Sequence, residues 1–154
     1  MKKFKVLLIY PNTMMATLLP ISLASLSASL KANDIDVELF DTTFYKTEEI
    51  SFEKKKEQLL QVKPFEYTAP FKGGRGDMLI DLKNMVNDYK PDLIGISLVE
   101  DTIDLGLMLL KAIRDSGVPV IAGGVGVNWN QERLLGSGLV DMLCIGEGDR
   151  KSVV

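Results

Sequence analysis

The residues able to do chemistry are few, and what is missing narrows the field first. The chain contains no histidine and a single cysteine, Cys144. Histidine is the usual general base near neutral pH and the commonest metal ligand, so both uses are closed to this sequence. One thiol can form neither an internal disulfide nor a thiolate-held metal cluster. No nucleophile stands beside a base in any recognisable motif, which disfavours a self-sufficient covalent enzyme. What remains is four loops rich in glycine, small hydroxyls and amides: residues 11–17 (PNTMMAT), 97–102 (SLVEDT), 123–128 (GGVGVN) and 146–149 (GEGD). Such residues suit binding more than bond-breaking. Glycine lets a backbone come close to a ligand, and neutral hydroxyls and amides hydrogen-bond to it.

Each of these residues also has a purely structural account. Gly123-Gly124 and Gly146-Glu147-Gly148 either admit a ligand or permit positive φ in tight turns. Ser97 ends an apolar run, where its hydroxyl either faces a crevice or caps the next helix. Glu100-Asp101 opens a helix, and the helix dipole favours acids there, the simpler explanation of the pair. Trp129 either stacks on the edge of a ligand or covers the end of a sheet. Cys144 sits in an apolar run and reads as an inert buried thiol.

The elements that would position these loops are legible from periodicity. Residues 4–10 (FKVLLIY) form a nearly continuous apolar run, the mark of a strand buried on both faces of a parallel sheet. Leu19, Leu23, Leu26 and Leu30 then fall on one helical face, with Pro20 suited to the first turn. Residues 35–40 (IDVELF) alternate, predicting a second, more exposed strand and completing a βαβ unit. Residues 41–76 are irregular, with a short helix expected over 48–61. Leu79, Leu82, Val86 and Tyr89 predict another helix, and residues 92–98 (DLIGISL) a third strand. Asp101 or Thr102 is positioned to cap a helix whose face is Ile103, Leu107, Leu110 and Ile113, ended by Gly117. Residues 118–122 (VPVIA) predict a fourth strand, Asn128 or Asn130 the cap of a short helix reaching Leu135, and residues 140–145 (VDMLCI) a fifth strand. The expected fold is therefore α/β, a doubly wound five-stranded parallel sheet of flavodoxin-like order 2-1-3-4-5. Ligands of such sheets bind beyond the carboxyl ends of the strands, in the crevice between strands one and three, which is where the four loops gather.

The length of 154 residues fits one domain, and the net charge of −3 gives no bulk attraction to nucleic acid or to an anionic membrane. Met1-Lys2-Lys3 before an apolar run resembles a secretory leader, but Pro11-Asn12-Thr13 interrupts that run and a helix and strand follow. A cytoplasmic domain is expected. No run of about eighteen apolar residues predicts a membrane span.

Known nucleotide-binding variants of this architecture fail on the first loop. Residues 11–16 hold no glycine, so neither G-x-G-x-x-G nor a phosphate-cradling loop is present. A flavodoxin phosphate loop would find only Thr13 and Thr17, and a phosphoacceptor aspartate is absent from Tyr10-Pro11-Asn12.

The set of segments as a whole resembles the cobalamin-binding domain that precedes the catalytic domain in many radical S-adenosylmethionine enzymes. The matching pieces are residues 6–11 (VLLIYP), 20–24 (PISLA), 91–97 (PDLIGIS), 120–124 (VIAGG) and 140–149 (VDMLCIGEGD), which together span nearly the whole chain. The resemblance implies a corrin ring over the strand ends and a nucleotide tail entering the crevice. It places Ser97, Gly123 and Gly124 near the tail and Pro11, Asn12 and Thr13 below the ring. Leu98, Val99, Val125, Gly146, Glu147 and Gly148 complete the implied cofactor-binding set. Two departures are clear. The D-x-H-x-x-G motif that supplies a histidine to cobalt in another branch of cobalamin proteins is absent, so cobalamin would be held base-off and without a histidine ligand. The C-x-x-x-C-x-x-C motif for an iron–sulfur cluster is also absent, so the cluster and S-adenosylmethionine belong to a partner domain. The expectation is one domain over residues 1–149, with 150–154 a tail before the place where a radical domain would begin. The rival expectation is a structural or substrate-docking domain of the same fold that binds no cofactor.

Overall fold

The computed structural model describes residues 2–13, 20–43, 45, 59 and 76–146. The helix expected over 48–61, Leu59 apart, and the tail 150–154 lie outside them, as do residues 147–149. Within the described residues, strands β1 (Lys5–Tyr10), β2 (Asp36–Asp41), β3 (Leu93–Ser97), β4 (Val120–Gly123) and β5 (Met142–Leu143) form one sheet. Its order is β2-β1-β3-β4-β5 and every pairing is parallel. This is the expected α/β architecture. The helices are α1 (Ile21–Ala32), α2 (Met78–Tyr89), α3 (Ile103–Ala112) and α4 (Gln131–Gly136).

The apolar run of β1 is buried on both faces, and its residues divide between two cores. Leu7 and Ile9 join Phe40, Ile94, Ile96, Val120 and Leu143 beneath helices α2 and α3. Val6 and Leu8 join Val37 beneath Leu23 of α1 on the opposite face. Each fully buried Leu or Ile contributes about 1.5–3 kcal/mol, so the larger cluster dominates the stability of the sheet.

Two aspartates start strands by satisfying a neighbour's backbone. Asp92 accepts the Lys5 N–H at 2.9 Å, and Asp141 accepts the Val120 N–H at 2.8 Å. These are the aspartates of the PDLIG and VDMLC segments, so both have a structural duty at the end of the sheet away from the loops. Gly106 serves the fold too. A Cβ there would meet Leu98 Cδ2 and would lie 3.3 Å from Ile96 Cδ1, so its absence lets α3 settle onto β3.

Several expectations need adjustment. Strand β2 buries Val37 and Phe40, three residues apart, one on each face, and leaves Leu39 41 % exposed. An edge strand is covered unevenly on its two faces, so simple alternation does not describe it. Of the expected face of α1, Leu23 is buried and Leu30 packs partly against the smaller core, whereas Leu26 stays 46 % exposed and Leu19 falls outside the described residues. Helix α3 buries Leu105 and Leu109 along with Ile103, Leu110 and Ile113, because it is covered on a wider arc than one stripe. Strand β4 begins two residues later than expected, after Pro119, and β5 is shorter than expected.

Candidate functional site

The carboxyl ends of β1, β3, β4 and β5 do bring the described parts of the four predicted loops, residues 11–13, 97–102, 123–128 and Gly146, to one end of the sheet, and their roles there differ. Pro11 and Asn12 are buried and Thr13 is half-buried. Asn12 turns toward β2, away from the β1/β3 crevice. Its N–H donates to Thr42 Oγ1 at 2.7 Å and its Nδ2 to Thr43 Oγ1 at 2.9 Å. Thr43 in turn donates to Asp41 Oδ1 through its hydroxyl, at 2.6 Å, and through its N–H, at 2.9 Å. The amide expected beneath a ring is thus held by a clasp between β1 and β2. Asp41, Thr42 and Thr43 were not singled out by sequence. Their signal is the D-T-T run directly at the end of a strand.

Leu98 also faces inward. Its side chain is fully buried against Gly106, its N–H donates to the Gly123 carbonyl at 2.8 Å, and its carbonyl accepts from Gly126 N–H at 3.0 Å. Both its backbone groups and its side chain are used within the fold, so it presents nothing to a ligand. Gly124 answers the question that the sequence left open. Its φ is +98°, and a Cβ would stand 2.5 Å from the Leu98 carbonyl oxygen and 2.9 Å from the Leu98 nitrogen. The close approach at Gly124 is to the protein's own backbone. Gly126 behaves the same way toward Val99, whose carbonyl carbon would lie 2.7 Å from an added Cβ. These glycines weld the β3 and β4 loops together, and Asn130 adds hydrogen bonds to Glu100 Oε2 at 2.9 Å and to the Gly126 carbonyl at 3.0 Å. Thr102 precedes α3 without capping it through its side chain; its hydroxyl folds back on Val99 instead.

Ser97 and Gly123 are half-buried register partners on β3 and β4, on the sheet face whose core cluster, among the described residues, takes in Leu93 at the other end of β3 but neither of them. Gly95 lies two residues earlier on the same face, where an added Cβ would meet Leu8 Cδ2 at 3.0 Å. Around Gly123 an added Cβ would meet only Cys144, with Cβ atoms 3.5 Å apart and the Cys144 carbonyl oxygen at 4.0 Å. Ile121 and Met142, also on this face, are half-buried and belong to neither core cluster. Gly95 is therefore buried beneath Leu8 and Ile121, and the strip poor in side chains is the Ser97–Gly123 pair alone, about 5 Å across two strands at the loop end of the sheet. Among the described residues the Ser97 hydroxyl has no hydrogen-bond partner. Cys144, expected to be buried, is half-buried at the edge of this strip.

Gly146 has φ +80° and donates its N–H to Asn128 Oδ1 at 3.3 Å, tying the β5 end to the β4 loop. Glu147 and Gly148 lie outside the described residues. Val99, Val125 and Trp129 are apolar and 44 %, 67 % and 86 % exposed at this same end. Tyr10, closing β1, has its phenol pKa raised by burial and then by the Asp41 carboxylate, so it is neutral at physiological pH. No group of three or more His, Cys, Asp or Glu side chains could hold a metal among the described residues. Among the described residues this end of the sheet offers small and apolar groups at its middle with hydrogen-bonding groups and the exposed Glu100 and Asp101 carboxylates at its rim.

No protein-family model matches the chain, and no curated protein matches it in sequence. Solved structures match its fold, among them two of a radical S-adenosylmethionine methyltransferase, TsrM, from Kitasatospora setae. One, with tryptophan substrate and a S-adenosylmethionine analogue (aza-SAM) bound, superimposes with a TM-score of 0.67 at 18 % identity over 95 % of this chain. The other, with cobalamin and a 4Fe-4S cluster bound, gives a TM-score of 0.66 at 18 % identity over 94 %. The chain spans only 24 % and 22 % of those two chains. What this chain shares with part of that methyltransferase is its fold: a parallel α/β sheet of order 2-1-3-4-5.

Proposed function

We propose that the chain is a cobalamin-binding module that works with a radical S-adenosylmethionine domain, in cis or in trans, in the cytoplasm. The observation that carries this reading is the strip of Ser97 and Gly123, poor in side chains, at the loop end of β3 and β4, with the Ser97 hydroxyl without a partner among the described residues. A flat aromatic nucleotide tail needs a floor without side chains and a small polar group at its margin, and this strip has both. The strip lies over β3 and β4, beside the β1/β3 switch point rather than within it. Two further observations are consistent with the reading: the shared fold of a protein solved with cobalamin bound, and the pattern of segments across the chain. Cobalamin, when bound, supplies a cobalt centre able to carry a methyl group or take part in radical chemistry. In this chain Ser97 would hydrogen-bond the tail, Gly123 would leave room for it, and Pro11 and Thr13 would lie under the ring. With no histidine in the sequence, no imidazole of this chain can reach cobalt. The iron–sulfur cluster and S-adenosylmethionine belong to the partner domain.

Among the described residues no helix is long and apolar enough to cross a membrane. One set of observations favours the alternative, a docking domain of the same fold that binds no cofactor. Asn12 and Leu98, both in the implied binding set, are engaged inside the protein, and the close approach at Gly124 is to the Leu98 backbone.

A single experiment separates the two readings. The purified chain is mixed with hydroxocobalamin and desalted, and its visible spectrum is recorded. Retained, near-stoichiometric colour is expected, with a loss of at least about tenfold in affinity for Gly123→Leu at unchanged fold. A colourless wild-type protein would leave the docking domain as the surviving reading. Electron paramagnetic resonance of the bound Co(II) form tests the axial ligand. The expected spectrum lacks nitrogen superhyperfine splitting, and a triplet from one axial nitrogen would exclude base-off binding.

A further inference from the structure

Trp129 is the sole tryptophan of the chain, and the structure removes one of its two explanations. At 86 % exposure it does not cover the end of the sheet. It stands on the turn Val125–Trp129, which follows Gly123-Gly124 directly. The turn is well fixed. Val127 is fully buried, Gly126 abuts Val99, and Asn130 is bonded to Glu100 and to the Gly126 carbonyl. A large indole left in water on a rigid mount forgoes a substantial hydrophobic gain, and this favours a contact made only in a complex.

The surroundings indicate what that contact is. Asn128, Trp129, Asn130, Gln131, Glu132 and Arg133 line a hollow of about 370 Å³. Asn128 accepts through Oδ1 from Gly146 N–H, and Gln131 donates through Nε2 to the Asn128 carbonyl. This leaves Asn128 Nδ2 and Gln131 Oε1 without protein partners among the described residues, one donor and one acceptor of carboxamide type. An apolar plate flanked by free carboxamides complements a ligand with an apolar body and an amide-bearing rim.

We infer that Trp129 and the hollow beside it receive the amide-bearing edge of the corrin ring, with the indole against the ring and Asn128 and Gln131 bonded to peripheral carboxamides. This rests on the cobalamin-binding reading and adds to it a ring-recognition point separate from the tail strip.

The test compares wild type, Trp129→Ala and Trp129→Phe for affinity toward hydroxocobalamin and toward cobinamide, which keeps the ring and lacks the nucleotide tail. Trp129→Ala should weaken both ligands by about tenfold, Trp129→Phe by much less, and neither should shift the melting midpoint appreciably, since the side chain is exposed. Equal binding by wild type and Trp129→Ala would overturn the inference and leave the cobalamin reading standing. A loss confined to cobalamin would place the indole on the tail and overturn the ring assignment. If wild type binds neither ligand, both fail together. Sedimentation of the same variants covers the other occupant: a self-association lost in Trp129→Ala with unchanged cobalamin affinity would assign the indole to a contact between copies and overturn the inference.

Discussion

Replacing Gly124 by alanine tests whether this glycine belongs to the fold or to a ligand. The residue has φ +98° and ψ 170°, a region nearly confined to glycine. Placing another residue there costs about 1–3 kcal/mol in backbone strain. The new Cβ would also stand 2.5 Å from the Leu98 carbonyl oxygen and 2.9 Å from the Leu98 nitrogen. Both are backbone atoms held by hydrogen bonds to Gly123 and Gly126, so the clash cannot be relieved by turning a side chain. Overpacking of this kind adds about 1–3 kcal/mol. The sum is about 4 kcal/mol, a large share of the roughly 5–15 kcal/mol that holds a domain together. At about 2–4 °C per kcal/mol the melting midpoint should fall by about 8–16 °C. Gly123→Ala is the matched control. Its Cβ would make an ordinary 3.5 Å contact with Cys144 Cβ, and its midpoint should stay within about 4 °C of wild type, a change of no more than about 1 kcal/mol. The assay is thermal unfolding followed by circular dichroism at equal protein concentration. A Gly124→Ala midpoint within about 2 °C of wild type would refute the claim that the β3 and β4 loops are locked through this residue.

Three more outcomes follow from particular groups. Burial first, then the Asp36 and Glu38 carboxylates, push the Tyr89 phenol up to about 12, so the folded state favours its neutral form. The stability this gives is present below about pH 10 and lost as pH rises toward that higher value; in an alkaline absorbance titration Tyr89→Phe should remove one ionisation lying above the ordinary tyrosine range. The Lys5 N–H, and after it the Lys2 ammonium, hold Asp92 below the usual carboxylate range. Its contribution is intact above about pH 4 and lost as the solution is acidified below that; Asp92→Asn should lower stability at neutral pH and flatten the acid limb of a denaturation series. Thr43→Val keeps the shape of the clasp and removes its hydroxyl, leaving the buried Asn12 Nδ2 without that acceptor. The cost should be about 1–3 kcal/mol in urea unfolding, and an unchanged midpoint would mean that the clasp does not hold the β1 loop.

The architecture is legible in the order of residues alone. Continuous apolarity in residues 4–10 forced a strand buried on both faces, and such a strand lies inside a parallel sheet; the alternating helices then fixed the winding. Periodicity could do this because burial repeats along the chain at the period of each element. It also placed the four loops at one end, since every strand of a parallel sheet points the same way. Only the tertiary structure decided what the loop residues do. Gly123 and Gly124 are adjacent and identical in type, yet an added Cβ would make only an ordinary contact with Cys144 at the first and would collide with the Leu98 backbone at the second. Asn12 and Thr43 are thirty-one positions apart and meet through β1–β2 pairing, which no local pattern encodes. Trp129 is an apolar residue that remains in water because Val127, two positions earlier, takes the buried place. The direction in which a loop residue faces depends on contacts between segments distant in sequence. The type of residue limits those contacts, and the packed chain selects among them.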